Sequence, residues 1–147
     1  MTIMVDTLVV WSKKPPFHKG SCHLTTDGDI DELHAFAAKL GMKRAWFQDH
    51  PILKHYDLTP SKRALAVKLG AVEVSGVEQA RRRSVIAKRL AGEFGRTHFE
   101  AKRFLNEWGT EDAARAAMRE CRVRAIAWLP RNDAGREALA RAEGAKG

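Results

Sequence analysis

The residue types best suited to chemistry crowd into one short stretch, HYDLTPSKR at positions 55–63. It holds an imidazole (His55), a phenol (Tyr56), a carboxylate (Asp57), hydroxyls and two cations (Lys62, Arg63). His55 and Asp57 are two residues apart, so in an extended chain both point to the same side. A carboxylate beside an imidazole orients it and raises its pKa, which suits general acid–base work. Thr59 and Pro60 read as the N-cap and first residue of a helix. Ser61, Lys62 and Arg63 then fall in the first turn, where the helix macrodipole is positive and disfavours cations. Two cations there make sense if a bound anion offsets them, Arg63 gripping a phosphate bidentately and Lys62 acting as a point charge. The alternative is a solvated face, or pairing with Asp57.

His23 lies in a polar run, SCHLTT, and joins His55 and Asp57 as an expected catalytic group. His34 sits at the edge of a helical apolar stripe and reads as a packed histidine of the core margin. Asp6 interrupts an apolar strand, so it belongs at a strand end or is buried with a partner. Asp6, His23, His55 and Asp57 are of types that can ligate a metal, but no tight spacing such as HExxH or HxH supports it, and no metal is expected. Cys22 and Cys121 form no CxxC pair, which excludes a zinc ribbon or thioredoxin-like motif. Cys22 and His23, as strand neighbours, point to opposite faces and cannot readily act as nucleophile and base. GxGxxG, Walker A and GxSxG patterns are absent, so standard dinucleotide, P-loop and serine-hydrolase chemistry is not supported. The sequence leaves any cofactor unidentified.

The elements that must position these groups follow from the pattern. Residues 2–11 are rich in β-branched types and predict a strand. KKPPFHKG predicts a loop, and SCHLTT a short second strand. Residues 29–41 predict a helix: Asp29 and Glu32 have capping-box spacing, Ile30, Leu33, Ala37 and Leu40 recur at the helical period, and Gly41 ends it. RAWFQ (44–48) predicts a strand, with Trp46 and Phe47 facing opposite ways. DHPILK predicts a loop, the helix after Thr59 runs to about Leu69, and AVEV (71–74) a last strand. Alternating strands and helices predict a small, largely parallel α/β sheet with flanking helices over residues 1–75. In such a sheet, ligands sit beyond the carboxyl ends of the strands, beside helix N-termini.

Residues 76–147 predict a basic helical extension that either stands as an appendage or packs on the same core. Ser75 with Glu78 and Thr97 with Glu100 are capping boxes, and Thr110 caps a further helix. VRAIAWL (123–129) reads equally as a strand returning to the sheet or as more helix. Pro130 marks a break before a last helix.

The strings CHLTTDGDIDELHAFAAKLGMKRAWFQ and HYDLTPSKRALAVKLGAVEV resemble the bacterial and phage proteins grouped as the domain of unknown function 4031 family. The matching positions are Asp6, Cys22–His23, Glu32–Leu33–His34, Trp46–Phe47–Gln48, His55–Tyr56–Asp57, Ser61 to Val67 and Gly70 to Glu73. The resemblance covers about residues 1–75. One departure is Thr7, where members often carry a second acid after the strand aspartate, which weakens any two-carboxylate metal proposal. The family name implies no activity. It implies that this polar set belongs together, and with it Asp6 and Gln48 join Ser61, Lys62 and Arg63 as the expected phosphate-binding set.

The chain of 147 residues carries 26 Lys/Arg against 18 Asp/Glu, a net charge of +8, with 44% hydrophobic residues. That is enough apolar material for a core without disulfide staples. The basic balance favours polyanionic partners, a nucleotide or nucleic acid. In the second half Arg81, Arg82, Arg83, Lys88 and Arg89 form the candidate nucleic-acid face, on helices that read as a helix-turn-helix or a plain hairpin. No membrane span or export signal is apparent, and a cytoplasmic location is expected. Oligomeric state is not legible. The leading expectation is a phosphate-bearing ligand at a His/Asp/Arg site, with hydrolysis as the accompanying reaction. The competing one is a non-enzymatic nucleic-acid-binding or adaptor protein.

Overall fold

The computed structural model describes residues 2–145 and divides into two compact units, Met1–Arg82 and Arg83–Gly147. The division falls a few residues beyond the boundary expected near residue 75, inside a helix rather than before it.

The first unit is a five-stranded sheet with two helices. Its strands are β1 (Ile3–Val5), β2 (Cys22–Thr26), β3 (Gln48–Asp49), β4 (Lys54–Leu58) and β5 (Val72–Glu73), in the order β3-β4-β2-β1-β5. Helix α1 (Ile30–Lys39) follows β2, and α2 (Pro60–Lys68) connects β4 to β5. The sheet is mostly antiparallel: only β1 and β5 pair in parallel, while β1–β2, β2–β4 and β3–β4 are antiparallel. This corrects the largely parallel expectation. Parallel neighbours need a crossover between them, and antiparallel ones do not. An irregular loop, not a helix, joins β1 to β2.

Two shorter-range expectations also change. The predicted first strand stops at Val5, and Val9 makes only an isolated bridge to Ser21. RAWFQ is not a strand: Arg44–Trp46 form a 3₁₀ turn, and only Gln48 enters the sheet, at its edge. Trp46 is accordingly exposed, whereas Phe47 packs on the core.

Strand alternation separates two faces. Cys22, Leu24, Tyr56 and Leu58 are buried with Leu33, Ala37 and Leu40 of α1 and Ala66 of α2. The residues between them, His23, His55 and Asp57, are only partly buried and occupy the opposite face. Both helices start as the sequence predicts. Asp29 accepts from the Asp31 N–H and Thr59 from the Lys62 N–H.

The second unit is helical. Helix α3 (Gly76–Phe94) supplies residues to both units, and α4 (His98–Trp108), α5 (Glu111–Arg124) and α6 (Asp133–Gly144) follow. The Thr97–Glu100 capping box is present, and Thr110 and Asn132 cap α5 and α6. Its core includes Leu90, Phe104, Trp108, Met118 and Cys121. The ambiguous 123–129 segment is neither wholly helix nor strand. Ala125 turns left-handed at φ 53°, and the chain then runs irregularly past Arg96, whose guanidinium donates to the Ala127 carbonyl at 2.8 Å.

Candidate functional site

Strand register brings the expected catalytic residues together. His23 on β2 lies directly opposite Asp57 on β4 in the antiparallel ladder. His55 is two residues back along β4, on the same face. Their side chains meet: the His23 and His55 rings stand edge to face with centroids 4.7 Å apart, and Nε2 of His55 is 3.4 Å from Oδ1 of Asp57.

Each imidazole is held by its other side. Nδ1 of His55 is 2.7 Å from the Leu53 carbonyl, an acceptor only, so Nδ1 carries the proton and Nε2 faces Asp57. Nδ1 of His23 is 2.7 Å from Oδ2 of Asp6. The second carboxylate oxygen, Oδ1, accepts the backbone N–H of His23 at 2.6 Å. Asp6 therefore follows β1 directly and is buried against a partner, as its interruption of an apolar strand required. The hydrogen bond that His23 donates to Asp6 raises the His23 pKa above its ordinary value, outweighing burial. The Asp57 carboxyl is held below its usual range by the His55 ring, whose Nε2 donates to it when the imidazole is protonated.

The three residues form one wall of a surface cavity of about 520 Å³. The loop between β1 and β2 supplies the rest, through Trp11, Ser12, Phe17 and Ser21. Trp11 is 72% exposed, an unusual placement for a large aromatic ring. The sequence predicts KKPPFHKG as a loop, but no motif in it marks a place beside these histidines. Its only signal was a tryptophan next to a Lys/Pro-rich turn.

The expected phosphate-binding set is dispersed. Nζ of Lys62 donates to the Leu40 carbonyl at the end of α1. The Arg63 guanidinium donates from Nε to the Asp6 carbonyl at 2.8 Å and from Nη1 to Oε1 of Glu73 at 2.9 Å. Both cations are compensated inside the chain, so the helix start needs no external anion. Asp6 positions His23 instead of facing the cavity. Ser61 is exposed beside Thr59, and Gln48 is exposed on the edge strand opposite His55. None of these five lines the cavity.

Cys22 is buried on the core face, and burial pushes its thiol up to about 12, so it is no thiolate nucleophile. His34 packs at the core margin, with Nδ1 2.8 Å from the Tyr56 hydroxyl and its ring edge-on to Phe47.

The candidate nucleic-acid face is partly self-neutralised. Arg81 and Arg82 both pair with Glu78, and Arg89 pairs with Glu111. Burial draws Arg83 down to about 10, while Lys88 is exposed. No described helix is long and apolar enough to cross a membrane.

Among the described residues, His23, His55 and Asp57 are also the one group of donors placed to hold a metal ion. No curated protein and no solved structure matches the chain. The pattern described as Protein of unknown function (DUF4031) matches residues 3–86, which spans the whole cavity and every residue around it, and the chain belongs to that family.

Proposed function

We propose that the cavity binds a small phosphate-bearing ligand, a nucleotide or the phosphate of a nucleic acid, and hydrolyses its ester with His55, Asp57 and His23. The observation that carries this reading is the paired placement of Nε2 of His55 and Oδ1 of Asp57, 3.4 Å apart, on the cavity wall. Fixing Nδ1 on the Leu53 carbonyl leaves Nε2 as the ring atom that exchanges a proton there. His23, set by Asp6, adds a second imidazole within reach of the same ligand.

The remaining lining suits a ligand with polar and planar parts. Ser12 and Ser21 bring hydroxyls, and Trp11 and Phe17 bring aromatic faces on which a base can stack. In the reaction a water oxygen bonds to phosphorus as the ester P–O bond breaks. The water proton passes to Asp57 or His55, and an imidazolium returns a proton to the leaving oxygen.

The test is turnover of a panel of phosphomonoesters and nucleotides, with thermal shifts measured for the same ligands. His55→Gln and Asp57→Asn are expected to lower turnover about 10²–10⁴-fold, the usual worth of a positioned acid or base. A wild-type protein that neither turns over nor is stabilised by any member of the panel refutes the reading.

A further inference from the structure

We propose that His23, His55 and Asp57 hold one divalent first-row transition-metal ion of the zinc class, with its remaining coordination positions open to the cavity. This goes beyond the hydrolytic reading, and the metal binding itself is measured in phosphate-free solution.

Three observations carry it. First, one nitrogen from each ring and one Asp57 oxygen all lie within 4.8 Å of one another. A tetrahedral ion with bonds of about 2.0–2.1 Å sets its donors about 3.3 Å apart. The His55–Asp57 pair, at 3.4 Å, already has that spacing, and His23 needs only to draw in.

Second, both imidazoles are tied at Nδ1, one by the Asp6 carboxylate and one by the Leu53 carbonyl. That fixes each ring and presents Nε2 as a lone pair. Ligating histidines almost always have this support, a carboxylate or backbone carbonyl on the nitrogen away from the metal. Finding it once is common. Here it occurs on two rings whose centroids are 4.7 Å apart.

Third, the charges balance around a dication. With neutral imidazoles the cluster carries the Asp6 and Asp57 carboxylates and two nitrogen lone pairs, and the Nε2 lone pair of His55 faces a carboxylate oxygen. Such an arrangement calls for positive charge at its centre. Two protons would make adjacent imidazolium ions at edge-to-face distance. A single divalent ion satisfies both lone pairs and the Asp57 carboxylate, while Asp6 stays on Nδ1 of His23.

The donor set selects the ion. Two imidazoles and one carboxylate suit zinc and its first-row neighbours, whereas magnesium and calcium prefer all-oxygen sites. A thiolate-loving ion finds no ligand, because Cys22 is buried on the opposite face. A water on the open position would become the acidic, nucleophilic species that ester hydrolysis requires.

The experiment titrates EDTA-treated, dialysed full-length protein with Zn²⁺ by calorimetry and with Co²⁺ by visible absorption. One equivalent is expected to bind, with Co²⁺ giving ligand-field bands. His23→Gln, His55→Gln and Asp57→Asn should each weaken binding at least about tenfold, and Asp6→Asn by about 10–100-fold. His18→Gln and His50→Gln should bind as wild type. Wild-type histidine NMR supplies a readout that needs no variant: Zn²⁺ should shift the His23 and His55 ring signals first. The absence of stoichiometric binding, retained affinity in the three ligand variants, or loss confined to His18 or His50 overturns the proposal. Metal-free protein stabilised by phosphate, with no metal bound, would sink this inference and leave the hydrolytic reading standing. Stoichiometric zinc without any phosphoester turnover would do the reverse.

Discussion

Asp6 grips His23 at two points: one carboxylate oxygen accepts the backbone N–H at 2.6 Å, and the other meets Nδ1 of the ring at 2.7 Å. An ionised carboxylate can only accept, so the proton sits on Nδ1 and the lone pair on Nε2. Asp6→Asn is expected to invert this. An asparagine can keep Oδ1 on the backbone N–H, but its NH₂ then donates to Nδ1 and moves the ring proton to Nε2. Nitrogen-15 NMR of the His23 ring reads the tautomer directly. The charge-assisted bonds lost should lower stability by about 1.5–3 kcal/mol, measured by denaturant unfolding. A ring that keeps Nδ1 protonated in the variant contradicts the assignment.

Arg63 illustrates what the sequence could and could not reveal. Two cations in the first turn of α2 are a real electrostatic anomaly, and the inference that something compensates them is sound. The compensators are internal: the Leu40 carbonyl for Lys62, and the Asp6 carbonyl and Glu73 for Arg63. Those partners lie 22, 57 and 10 residues away along the chain, beyond any local pattern. Arg63→Ala is therefore a stability variant. Glu73 is well exposed, so that pair contributes little, and most of the expected loss of about 1–2 kcal/mol comes from the Asp6 carbonyl bond. Thermal shifts caused by inorganic phosphate should be the same in variant and wild type; a shift abolished by Arg63→Ala would return the anion to α2.

The caps and helix limits were legible because their causes are local, whereas the sequence predicted no strand at 54–58, where β4 lies. Ser, Thr, Asp and Gly act within a turn, and period two acts within a strand. The same alternation correctly put His55 and Asp57 on one side. What local rules could not supply was which strand lies beside β4. The pairing of His23 with Asp57 depends on β2 being that neighbour and on the two strands running antiparallel, although helix α1 lies between them along the chain. The predicted RAWFQ strand failed for a related reason. Its aromatic residues have high strand propensity, but among the described residues no strand pairs with 44–46, and propensity follows packing.

His34 makes stability depend on acid in a specific direction. Burial, aided by the Arg44 charge, lowers its pKa below the ordinary 6.5. The unfolded chain thus takes up the proton first as pH falls past about 6.5, and native stability declines from there down through the lower folded pKa. Above 6.5 both states are neutral at this ring and it contributes no slope. Unfolding free energies from pH 8 to 5 should fall less steeply in His34→Gln, which keeps a polar group for the Tyr56 hydroxyl. Equal slopes in the two proteins would show that the ring is accommodated in its charged form.

Gly135 sets a sharper demand in the second unit. A Cβ placed on it would lie 1.9 Å from the Pro130 carbonyl oxygen and 3.1 Å from the carbon of the same group. The obstacle is backbone, with no side-chain rotation to relieve it. The segment is also pinned at both ends: Asn132 caps α6 through the Gly135 N–H at 2.9 Å, and Trp108 donates from Nε1 to the Leu129 carbonyl at 3.0 Å. Gly135→Ala must therefore push α6 away from the 129–132 turn or break its cap. Overpacking of a filled site costs typically 1–3 kcal/mol, and loss of the cap adds about 1 kcal/mol. The helical unit should melt several degrees lower, followed by far-UV circular dichroism. His23, His55 and Asp57 belong to the other unit, so their ring NMR signals should be unchanged. An alanine variant as stable as wild type would mean that the turn before α6 yields at little cost.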